Sequence, residues 1–210
     1  MSAARNASEL ASVTFGPKCS EPLSRSALLS WLRSDCQASR RKNEAPLGSP
    51  QRGDDQRSKI EAVVIHCSAT RSDQDYPYER LARDHLKRGF KSYPGYHFYV
   101  TKDGHLYYCR PLDAIGCHVR SHNEGTIGVC YEGGLDQWGK PTDTRTAEQM
   151  ITLHWLLVTL HKMFPHARIC GHRDFSPDRN GNGRIDPWER IKACPCFDAA
   201  HEYAYIFGPK

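Results

Sequence analysis

The sequence predicts a single α/β domain over residues 59–210, preceded by a leader of different character over residues 1–58. Three observations carry this expectation. Apolar runs of strand length recur and stop at turn residues. One long segment has a helical period with a cap at its start. A tight hairpin signal separates two of the runs. Helices mixed with a sheet, hairpin included, pack as layers around one core.

Residues 1–58 carry nine basic and six acidic residues among many Ser, Ala and Arg. The longest apolar stretch, Ala27 to Leu32, is broken by Ser30 and could form a helical turn or two. Nothing there sustains a period, so a disordered leader is expected. The rival is an Arg-rich delivery segment. No stretch near the start has the ~7–15 apolar residues of a secretory signal, so synthesis in the cytosol is expected.

From Ile60 the patterning sharpens. Glu61 to His66 is an apolar run of strand length with His66 at its end. Tyr78 to Arg88 puts Leu81, His85 and Leu86 on one helical face, with Gly89 as a stop. Tyr96 to Thr101 reads as a strand, Asp103-Gly104 as the turn, and Leu106 to Arg110 as the returning strand. Thr126 to Tyr131 is a further strand, closed by Gly133-Gly134. Thr146 and Gln149 form a capping box for a helix with Met150, Leu153, Leu157, Leu160 and Phe164 at helical spacing. Pro165 ends that helix, and Ala167 to Cys170 is a last strand.

The chain has 210 residues, 29 basic and 24 acidic, for a net charge of +5. That charge is too small and too evenly spread to make nucleic acid the partner. No apolar run reaches the ~20 residues that span a bilayer. Nine cysteines, an odd number in a chain of this size, do not form a disulfide framework. Cys109, Cys130 and Cys170 lie in apolar runs and are expected as buried free thiols.

Eleven histidines beside those cysteines justify a search for a metal site. Three segments end a strand or enter a loop with metal-capable side chains: Val64 to Thr70, Cys170 to Asp174, and Lys192 to Asp198. Two His and one Cys suit Zn²⁺, with a fourth position left for water. Taken singly, each His reads first as a hydrogen-bonded structural residue. Cys194-Pro-Cys196 is also too short for a zinc ribbon, which spaces its pair by two to four residues.

These segments, in this order, resemble the zinc-dependent N-acetylmuramoyl-L-alanine amidases, the family shared by phage lysozyme-type amidases and peptidoglycan recognition proteins. The resemblance covers about residues 60–200. It rests on His-Cys-Ser-Ala-Thr at 66–70, Gly-Tyr-His-Phe at 95–98 and Gly-Cys-His at 116–118. It continues through Asn-Glu-Gly-Thr-Ile-Gly-Val at 123–129, Gly-His-Arg-Asp at 171–174 and Lys-Ala-Cys-Pro at 192–195. It implies a mixed central β-sheet flanked by helices. It implies zinc ligands His66, His172 and Cys194, catalytic groups Tyr96 and Lys192 beside the metal, and His118 near the substrate. It leaves Cys196 as a packing or outer-sphere residue.

The implied activity is hydrolysis of the amide between N-acetylmuramic acid and L-alanine of peptidoglycan by zinc-activated water. The alternatives are a non-catalytic peptidoglycan-binding module and a cell-wall endopeptidase on the same metal site. Binders of this family typically lack the ligand cysteine, and Cys194 is present. The expected partner is peptidoglycan, met by a monomer with no membrane insertion. A wall hydrolase waiting in the cytosol looks like an endolysin, with a toxin-type effector as the rival.

A second cation is expected from the residues alone. Asp178 to Glu189 matches the EF-hand loop pattern. Asp178, Asn180, Asn182, the Arg184 carbonyl, Asp186 and Glu189 take the ligand positions for calcium, with Gly183 at the sharp turn. Pro177 argues against an entering helix, so the loop would stand alone. The other reading is a plain Asx-rich turn, or a helix start with Asp186, Pro187 and Glu189 as N-cap, N1 and N3.

Overall fold

Strand β1, Ala62–Cys67, lies inside a five-stranded sheet and is buried along its whole length. The structure, a computed structural model, describes Ser26, Ser30, residues 59–90 and residues 93–208. Ser26 and Ser30 are helical; the rest of the expected leader lies outside the described residues.

β1 pairs in parallel with β5, Thr126–Tyr131, on one side and with β7, Arg168–Gly171, on the other. β3, Phe98–Val100, extends the sheet in parallel beside β5. β4, Leu106–Tyr108, closes the edge antiparallel to β3. The turn between β3 and β4 falls where the sequence puts it: Gly104 adopts φ 80° and its N–H donates to the Thr101 carbonyl. The sheet is therefore mixed, with order β4-β3-β5-β1-β7. A second, two-stranded parallel sheet joins β2, Thr70–Arg71, to β6, Gly134–Leu135. Strands of two residues carry no readable period, and the sequence does not announce them.

Strand alternation sorts the side chains into two faces. Val63, Ile65, Ile127, Val129 and Tyr131 pack on the face covered by helix α2, Ala147–Met163. The capping box of Thr146 and Gln149 is present at its start. Its buried stripe is Leu153, Leu156, Leu157 and Leu160, continued by Gln149 and Thr152. Met150, expected in that stripe, is 42% exposed. The Gln149 amide donates to the Val100 and Glu132 carbonyls, which turns the buried face toward residue 149 and leaves Met150 on the rim.

The opposite face carries helix α1, Tyr78–Lys87, whose Leu81 and Ala82 pack with Tyr99 and Cys130. Ala62, Val64, Val119 and Cys170 form a smaller cluster. Cys109, Cys130 and Cys170 are buried free thiols, as expected. Among the described residues no helix is long and apolar enough to cross a membrane.

Candidate metal centre

Parallel neighbours end at the same edge of a sheet, and in open α/β sheets that carboxyl edge is where ligands bind. β1 ends on His66-Cys67. β7 ends on Gly171 and passes directly into a 3₁₀ turn, His172–Phe175. Ile65 pairs with Gly171, so the next residue on each strand brings His66 and His172 side by side, ring centroids 4.7 Å apart.

Cys194 arrives on the loop that follows. The Arg173 N–H donates to its carbonyl at 2.8 Å, and the Cys67 N–H donates to its sulfur at 3.3 Å. Next along the chain, the Tyr131 hydroxyl donates to the Pro195 carbonyl at 2.6 Å. Pro195 rests against Gly171, where a Cβ would lie 2.5 Å from its Cδ. Gly171→Ala is therefore expected to push the Cys194 loop outward, costing about 1–3 kcal/mol as an overpacked contact does. A thermal melt of the purified variant, with its metal content, checks this.

The donor atoms of His66, His172 and Cys194 all lie within 4.8 Å of one another, the one such cluster among the described residues. Their chemistry fits a metal. Burial, with His118, His172 and Lys192 nearby, holds His66 well below its ordinary value. Burial and Lys192 bring His172 down to about 4. Both imidazoles are thus neutral at pH 7 and present a lone pair. The Cys194 sulfur beside it, with burial, pushes Cys67 up to about 12. Cys67 as a neighbour, with burial, also raises Cys196. Those two stay thiols, and Cys194 is the one cysteine whose sulfur joins the two imidazoles. A His₂Cys set with an open side is a zinc-compatible site.

The three donors open onto a cleft of about 400 Å³, whose wall includes Tyr96, Arg88, Lys192, Leu135 and Pro141. Among the described residues no Asp or Glu lines it. The Tyr96 ring centroid is 5.2 Å from that of His66. Burial, with Cys130, Cys194 and Cys67 around it, pushes the Tyr96 hydroxyl well above its ordinary value, so it remains a donor.

The resemblance implied His118 near the substrate. The structure seats it against His66, ring centroids 5.0 Å apart, 8% exposed and outside the residues that line the cleft. Sequence reasoning also missed the support for Tyr96. His85 accepts the Gly95 N–H at 3.0 Å and packs on the Tyr96 ring at 5.5 Å. Its place on the apolar face of α1 signalled packing alone.

The calcium expectation finds no support. The side-chain oxygens of the 178–189 loop hydrogen-bond within their own stretch of chain. Asp178 accepts the N–H groups of Gly181 and Gly183, and Glu189 those of Arg179, Asn180 and Asp186. Asp186 takes the side-chain amides of Asn180 and Asn182. This is the Asx-rich turn, stitched by a buried Glu189.

Comparison with known proteins decides the family. The N-acetylmuramoyl-L-alanine amidase family matches residues 56–195. The chain belongs to this family. The amidase is 34% identical over 142 residues to an endolysin of Klebsiella phage KP32, covering 68% of this chain and 84% of that one. It is 46% identical over 96 residues to an uncharacterised Haemophilus influenzae protein, covering 46% and 83%. The fold matches the amidase LysC of Clostridium intestinale at TM-score 0.53 and 22% identity, covering 77% and 91%. The amidase is thus a peptidoglycan hydrolase that cleaves the bond between N-acetylmuramic acid and L-alanine.

Proposed function

We propose that His66, His172 and Cys194 hold the zinc ion of this amidase, and that Tyr96 and Lys192 act on the scissile amide beside it. The observation that carries this reading is the meeting of the three donors at one cleft, with His66 more than 100 residues of chain before the other two. When bound, zinc supplies a Lewis acid and lowers the pKa of its water to about 7.

The residues of the chain divide the remaining work. Lys192 puts a cation on the cleft wall where charge develops on the carbonyl oxygen. Tyr96, kept protonated, donates a hydrogen bond to the same tetrahedral centre or to the attacking water. With no carboxylate among the described residues of the wall, proton handling falls to these two groups and to water. Arg88 and Lys192 give the cleft two cations, which suits the carboxylates of a peptide stem. The enzyme acts on the wall in the manner of its endolysin relatives.

Metal analysis of protein stripped with chelator and reloaded tests the ligand set. One zinc per chain is expected, with tight binding lost in His66→Ala and in His172→Ala. Full zinc retention by either variant would remove that residue from the set.

A further inference from the structure

We propose that His118 is a positioning residue: it accepts a hydrogen bond from His66 Nε2 and so fixes His66 in the tautomer that offers Nδ1 to the metal. The inference rests on the zinc reading above.

The direction of each proton follows from the partners. Thr126 Oγ1 lies 2.9 Å from the carbonyls of His122 and Asn123 and 3.4 Å from His118 Nε2. Carbonyls only accept, so the single hydroxyl hydrogen of Thr126 goes to one of them. The Thr126 oxygen then faces His118 as an acceptor, and His118 Nε2 carries a proton. In a neutral imidazole the other nitrogen holds the lone pair. His118 Nδ1 lies 3.0 Å from His66 Nε2, which must supply the proton between them. That leaves the lone pair of His66 on Nδ1, the nitrogen 3.8 Å from Cys194 Sγ.

The site that holds His118 is built for the purpose. The Asn123 side-chain oxygen accepts the backbone N–H groups of His118 and Val119, both at 2.8 Å. The ring fills a slot between two glycines. A Cβ on Gly128 would lie 2.6 Å from its Cδ2, and one on Gly116 2.5 Å from the same atom. His118 cannot swing into the cleft without abandoning these contacts, and it is buried and outside the residues that line the cleft. Metal-bound histidines commonly donate their second ring N–H to a carboxylate or carbonyl. Here a second imidazole takes that place.

The test compares two replacements in the full chain. His118→Asn keeps an acceptor near the Nδ1 position, and His118→Leu fills the slot without one. Zinc affinity, measured by competition with a chromophoric chelator, is expected to fall about 10–100-fold in the Leu variant, the range for a lost outer-sphere partner, and to recover most of that in the Asn variant. Nitrogen-15 spectra of the unsubstituted protein give a readout that does not depend on either variant folding. His66 is expected to be protonated at Nε2, with and without zinc. A proton on Nδ1 of His66 would overturn the proposal, as would equal zinc affinity in all three proteins. Failure of the unsubstituted protein to bind zinc, with His66 still protonated at Nε2, would remove the metal reading and this role with it.

Discussion

Cys194→Ser is expected to fold and to retain neither zinc nor hydrolysis. A serine hydroxyl is not ionised near pH 7, whereas a cysteine beside a metal is a thiolate. The replacement removes the only anionic donor of the set and leaves two neutral imidazoles. Loss of a direct ligand should exceed the ~10–100-fold cost of losing an outer-sphere partner. Fold should survive, because the loop is held by the Arg173 N–H on the Cys194 carbonyl and by the Tyr131 hydroxyl on Pro195. Elemental analysis and a far-ultraviolet melt of the metal-free proteins separate the two effects. A variant that melts like its parent, holds one zinc and turns over would show that the cleft chemistry needs no thiolate.

Lys192→Ala and Tyr96→Phe should each lower kcat by roughly 10²–10³, the scale of a lost oxyanion donor, with zinc content intact. Lys192 is exposed on the cleft wall, so its removal opens no cavity. Tyr96→Phe keeps the ring that packs on His66 and His85 and removes the hydroxyl alone. Saturation kinetics on a soluble muramyl-peptide decide between roles. A fall in kcat and kcat/KM together assigns the groups to the transition state; a raised KM with kcat unchanged would make them ground-state contacts.

The elements that the sequence announces are those whose pattern is local. β5 and the capped helix α2 stand where a short apolar run and a capping box put them. β2 and β6 escape because their pairing joins residues far apart in the chain and neither is long enough to alternate. The same distinction runs through the site. His66 and His172 were legible because both close apolar runs, and adjacent parallel strands then bring them together. The place of His118 was not legible. It depends on Gly128, a residue of β5 that faces away from α2, and on an amide at Asn123. The resemblance puts His118 near the substrate, and in the fold blocks 116–118 and 123–129 build the slot that holds it against His66. The calcium expectation at 178–189 goes unsupported for a related reason. Oxygen-bearing residues at cation spacing also satisfy the backbone N–H groups of a tight turn, and in this loop they do so.

The most direct test of the account is the chemistry of the ends released from purified sacculi by zinc-loaded and by metal-stripped protein. The account expects peptides with a free L-alanine amino terminus from the loaded enzyme, nothing from the stripped enzyme, and recovery on adding Zn²⁺. New amino termini within the peptide stem, or equal release by the stripped protein, would contradict it.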